Sequence, residues 1–205
     1  MLTIVDYGVG NLASIRNMLK KIGVSSQISS NQDEISKAEK LILPGVGAFD
    51  ACAGKLQQSG LVPVLNKKVK EERTPVLGIC VGMQLLTKGS EEGQLPGLNW
   101  VRGEVVRFRS DKMPAGTKIP HMGWTDVTFN RHSVISEELV EPRFYFVHSY
   151  HVVLDNADDV LMFADYGYPF AAALQHDNIM GVQFHPEKSH KYGMKLLSNF
   201  VNRFS

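Results

Sequence analysis

The chain has 205 residues, 43% of them hydrophobic, which suffices for one substantial core and leaves two unrelated domains cramped, so one domain over 1–205 is expected. Lys and Arg total 22 and Asp and Glu 21, a formal charge of +1 that excludes the concentrated basic surface of a nucleic-acid-binding protein. No run approaches the ~18 apolar residues of a membrane span, and the N-terminus lacks the charged flank and cleavage site of a signal peptide, so a cytoplasmic setting off the membrane is expected.

Leu2 to Val5 reads as a buried strand. After the turn Asp6-Tyr7-Gly8-Val9-Gly10, the residues Leu12, Ile15, Leu19 and Ile22 recur at helical spacing, and Gly23 is placed to end that helix. Leu41 to Leu43 form a second strand that stops at Pro44-Gly45, and helices are expected from Phe49 to Gln58 and from Val62 to Glu72. Pro75 to Ile79 is a third strand, which turns directly into a helix over Met83 to Lys88. From Leu98 onward the pattern is β-rich: Trp100 to Phe108, Trp124 to Phe129, Arg143 to Leu154, Val160 to Tyr166, Phe170 to Gln175 and Ile179 to Phe184, with a hairpin turn at His176-Asp177-Asn178. Tyr192, Leu196, Phe200 and Phe204 repeat every four residues in a closing helix. The alternation predicts a single α/β domain, a central, mostly parallel mixed sheet with helices on both faces.

Only two cysteines occur, Cys52 and Cys80, too few for a disulfide framework or a Cys-rich zinc site. Gly78-Ile79-Cys80-Val81-Gly82 has the form of a nucleophile elbow, in which glycines on either side let neighbouring chain approach and the central side chain is raised above the sheet. A helix N-terminus at Cys80 favours thiolate. Taken alone, the same run also suits a strand end with a buried, inert thiol. Cys52, among Ala51, Ala53 and Gly54, reads as core packing.

Gly181-Val182-Gln183-Phe184-His185-Pro186-Glu187 places a histidine at the carboxyl end of a buried strand, where α/β sheets collect ligands. His185 and Glu187 can face one side, so the carboxylate orients the imidazole and the free ring nitrogen serves a thiol. His132 and His176 read as loop residues, His148 and His151 as strand residues, and His190 has nothing nearby to lock it. No spacing resembles a metal site, and neither Gly8-x-Gly10 nor Gly45-x-Gly47 completes a dinucleotide loop, so no cofactor is expected.

Together, Gly78 to Gln84, Gly181 to Glu187 and Leu43-Pro44-Gly45-Val46-Gly47 resemble the class I glutamine amidotransferases, which hydrolyse glutamine with a Cys-His-Glu triad. Within that class, Asp6 to Asn11, Val46 in the Pro-Gly loop, and Pro120-His121-Met122-Gly123-Trp124 look like the glutaminase subunits of imidazole glycerol phosphate synthase, from residue 2 to the final helix. The resemblance implies Cys80 as nucleophile, His185 as base and then acid, Glu187 as orienter, and oxyanion donors at the backbone of Val46 and Val81. It further implies that Gly47, Gln84, Glu92 and the backbone at His148, Ser149 and Tyr150 hold glutamine, with adjacent Glu91 an alternative to Glu92. Asn11, Pro120, His121, Met122 and Trp124 would meet a (βα)8-barrel cyclase that consumes the ammonia, the pair being a heterodimer of histidine biosynthesis. The short Gly45-Val46-Gly47 loop suits a peptide flip set by that partner. Thr125 departs from the family, which often has Asn there. That leaves open a paralogous subunit feeding a surface-polysaccharide sugar amidotransferase or another synthase, or a non-catalytic regulatory homologue.

Overall fold

The computed structural model describes residues 1–204. The elements in chain order are β1 (Leu2–Val5), α1 (Leu12–Lys21), β2 (Ser26–Ser29), α2 (Gln32–Ser36), β3 (Lys40–Gly45), α3 (Phe49–Gln58) and α4 (Val62–Asn66). They continue with β4 (Val76–Cys80), α5 (Val81–Gln84), β5 (Gly103–Arg107), β6 (His121–Phe129), β7 (Arg143–His148) and β8 (Tyr150–Leu154). The chain closes with β9 (Val160–Asp165), β10 (Pro169–His176), β11 (Ile179–Val182) and α6 (His190–Asn202).

One nine-stranded sheet has the order β2-β1-β3-β4-β11-β10-β9-β6-β7. From β2 to β11 the neighbours are parallel, and from β11 to β7 they are antiparallel. The mixed sheet expected from sequence is thus parallel in its first half only. Its central strands β3, β4 and β11 are buried along nearly their whole length, because helices cover both of their faces. One continuous apolar core runs from Leu2 to Phe204. Among the described residues no helix is long and apolar enough to cross a membrane.

The departures from expectation have local causes. The helix predicted over Met83 to Lys88 stops at Gln84, because the carbonyls of Leu85, Leu86 and Thr87 accept from Leu98, Trp100 and Asn99 instead of from a further helical turn. Helix α4 continues as a π-helical turn over Lys67–Glu71, so the predicted span to Glu72 is filled by two geometries. Arg143 to Leu154 is not one strand. It breaks at Ser149, leaving β7 in the large sheet and sending β8 to pair with β5 in a separate two-stranded sheet. The hairpin at His176 to Asn178 is present, with Asp177 at φ +51°. Strand β2, Ser-Gln-Ile-Ser, has no apolar run to mark it in sequence, because it lies at the sheet edge and is only partly buried.

Candidate active site

Strand β4 hands over to α5 at Cys80, whose φ of +55° and ψ of −114° is a strained conformation for a non-glycine residue. The flanking glycines permit this sharp turn. A Cβ on Gly82 would lie 1.9 Å from the Leu43 carbonyl oxygen, and one on Gly78 would lie 2.7 Å from the Gly82 oxygen. The elbow therefore nests against β3, and the Cys80 sulfur stands where the amide N–H groups opening α5 lack intrahelical partners.

The adjacent strand β11 leads to His185, whose backbone N–H donates to the Tyr145 carbonyl at 2.9 Å. Ser189 clamps the same turn, its hydroxyl donating to the His185 carbonyl at 2.6 Å while accepting from the Tyr145 N–H at 3.0 Å. His185 Nδ1 lies 2.8 Å from Glu187 Oε1, and both side chains are almost wholly buried. Burial alone would lower the imidazole pKa, but hydrogen bonds to Cys80 and Glu187 outweigh it and raise the pKa to about 9. The proton therefore rests on His185 at neutral pH.

A cavity of about 340 Å³ opens over this pair. Its walls bring together the expected Val46, Gly47, Cys80, Val81, Gln84, Glu92, His148, Ser149, Tyr150 and His185. Glu187 stands behind His185. Of the two adjacent acids, Glu92 lines the cavity and accepts from the Phe49 N–H at 2.8 Å, whereas Glu91 is bound to Arg109 and the Arg107 N–H. Pro120, expected at an interface, is exposed and also forms part of the cavity rim. Among the described residues no group of three His, Cys, Asp or Glu side chains is placed to hold a metal.

Of the residues expected at an interface, His121 is 2% exposed, whereas Met122 is 62% and Trp124 39% exposed. Strand alternation puts residues 122 and 124 on the open face of β6 and turns 121 inward. Asn11, at the start of α1, is half-buried.

Other contributors carry no distinct signal in the sequence. Val147 and Lys188 line the cavity. Gln183, inside the quoted histidine motif, is fully buried and accepts from Gln84 Nε2 at 3.1 Å, while its own amide lies 3.8 Å from Cys80 Sγ. Behind the Pro-Gly loop, Tyr7 donates to the Pro44 carbonyl at 2.5 Å and Cys52 to that of Val46 at 3.3 Å. Cys52 thus packs in the core, as expected, and also tethers the loop. Its sequence setting holds no signal for that second role.

A cysteine on a strained elbow, a buried His–Glu pair and a polar cavity above an α/β sheet define a cysteine-dependent amidotransferase fold and site. The family model "Glutamine amidotransferase class-I" matches residues 3–204, and the chain belongs to that family. Its relatives narrow the branch. "Imidazole glycerol phosphate synthase subunit HisH 2" of Methanococcus maripaludis is 52% identical, covering 99% of this chain and all of that one. The protein of the same name in Pseudomonas aeruginosa is 50% identical over 98% of both chains. "Imidazole glycerol phosphate synthase subunit HisH" of Leptospira interrogans is 45% identical, covering 98% of this chain and all of its own. Among solved structures, one titled as a glutamine amidotransferase superposes with a TM-score of 0.75 at 19% identity, covering 97% and 96% of the two chains, a likeness of fold.

Proposed function

We propose that the chain is a HisH-type glutaminase subunit that hydrolyses the side-chain amide of L-glutamine and passes the ammonia to a (βα)8-barrel cyclase making imidazole glycerol phosphate, in the cytoplasm. The observation that carries this reading is the elbow cysteine set against a His185–Glu187 pair inside a cavity that also holds Gln84 and Glu92. The Cys80 thiolate attacks the amide carbon, and the carbonyl π electrons move onto oxygen. The N–H of Val81, joined by that of Val46 when the loop peptide is turned into the cavity, would stabilise the resulting oxyanion, and one such donor is typically worth ~10²–10³ in turnover. His185 gives its proton to the departing nitrogen, and ammonia leaves as the C–N bond breaks. Water then attacks the thioester, His185 takes its proton, and the C–S bond breaks to release glutamate.

The partner reading is supported by the surface around the cavity mouth. Val46 at 39% exposure, Met122 and Trp124 are large apolar side chains open to solvent beside rim residue Pro120. A barrel seated there would cover the cavity and meet the Val46 peptide, whose setting decides whether an oxyanion donor is present. Delivery of ammonia to a different synthase is a second reading. It is favoured by Thr125, which stands where the family often has Asn. Replacing Cys80 by Ala is expected to abolish ammonia release from glutamine while leaving the melting temperature within a few degrees of wild type. More than a trace of turnover would overturn the assignment. Assaying imidazole glycerol phosphate formation with the cyclase from the same source separates the two readings.

A further inference from the structure

Strand β6 begins with a side chain the reaction above does not use. His121 Nδ1 lies 3.1 Å from His148 Nε2, and His121 Nε2 lies 2.8 Å from Thr125 Oγ1. His148 Nδ1 in turn lies 2.8 Å from the carbonyl oxygen of Tyr150, part of the cavity wall. Both rings are buried, and burial holds their pKa values at about 4 and about 3, so each carries one ring proton at neutral pH.

Those contacts admit one arrangement of protons. A carbonyl only accepts, so His148 carries its hydrogen on Nδ1 and offers a lone pair at Nε2. His121 must then donate from Nδ1, which leaves its Nε2 as an acceptor for the Thr125 hydroxyl. Rotation is blocked, because the His121 ring is sandwiched between Phe146 at 4.9 Å and Tyr166 at 4.1 Å, with interplanar angles of 23° and 24°. The far end of the chain is ordered the same way. The Tyr150 carbonyl also accepts from Gln84 Nε2 at 3.2 Å, that nitrogen also donates to Gln183 Oε1, and this points the Gln183 amino group at the Cys80 sulfur.

We propose that Thr125 and His121 are positioning residues for glutamine turnover: a one-way hydrogen-bond chain from Thr125 through His121 and His148 fixes the Tyr150 carbonyl, which orients Gln84 and, through Gln183, the nucleophile. The proposal rests on the glutaminase reading. It gives Thr125 an inward task on the strand that carries Met122 and Trp124 on its open face, so the docking strand and the glutamine cavity share one polar connection.

The test compares wild type with Thr125→Val, which keeps the shape and removes the hydroxyl, and Thr125→Ser, which restores it, each at saturating synthase partner and varied glutamine. Thr125→Val is expected to lower kcat/KM about 3- to 10-fold, the scale of one neutral hydrogen bond, with Thr125→Ser close to wild type. Nitrogen-15 NMR of the imidazoles at pH 7 is expected to show His121 and His148 neutral with the proton on Nδ1. An Nε2–H or cationic form of either ring overturns the chain, as does a Thr125→Val protein with unchanged kcat/KM, even if it melts lower. Wild type that releases no ammonia would instead defeat the glutaminase reading, and the positioning role with it, whatever tautomers are found.

Discussion

Cys80 is held at a backbone conformation that costs a non-glycine residue about 1–3 kcal/mol, and the return on that strain is a sulfur raised beside His185 at the first amides of α5. The charge state of the pair depends on Glu187. Its carboxylate is one of the hydrogen-bond partners that raise the His185 pKa to about 9 against the opposing effect of burial. Glu187→Gln is therefore expected to move the His185 titration down, read by NMR, and to lower kcat about 10³–10⁴-fold, as when the orienting acid of a catalytic triad becomes an amide. An unmoved titration would assign the raised pKa to Cys80 alone. The triad is legible in sequence because each motif is local: Gly78 to Gly82 shapes the elbow, and His185 with Glu187 spans three residues. Gln183, Tyr7 and Cys52 were not legible, since their partners Gln84, Pro44 and Val46 are defined only by folding and packing.

Elements β3, β4 and β11 position the site, and their fit depends on missing side chains. Adding a methyl at Gly82 puts carbon 1.9 Å from the Leu43 oxygen, a backbone atom that cannot step aside without moving β3. Gly82→Ala should destabilise the fold by about 1–3 kcal/mol or more in urea melts and cost turnover disproportionately, because the elbow moves with it. Melting and kcat unchanged from wild type would show that the elbow is not this tightly seated. The parallel half was readable from alternating apolar runs and turn glycines. The break at Ser149 was not, because Arg143 to Leu154 keeps a strand-like composition throughout while its two halves join different sheets. That switch matters, as it turns the His148 to Tyr150 backbone into the cavity wall.

At the scale of the whole molecule, acid and base act on different ends of the stability curve. His121 and His148 have native pKa values of about 4 and about 3, below the ~6.5 of an unfolded chain. As pH falls below ~6.5 the unfolded chain binds protons that the native rings refuse, so stability present at neutrality is lost progressively down to about pH 3. His185 has the opposite sign: its native pKa is raised, so its contribution is full below ~6.5 and is lost as pH rises through about 9. The two effects place the maximum near neutrality, a consequence of burying two neutral imidazoles, His121 on β6 and His148 at the end of β7, and one protonated imidazole beside Cys80. Urea denaturation across pH 5 to 7 should therefore show a loss toward acid on the order of a few kcal/mol, in a window above the ~3.9 to ~4.3 midpoints of ordinary carboxylates. A flat free energy in that window would mean that His121 and His148 take up protons in the native state, which the three-bond chain from Thr125 to Tyr150 forbids.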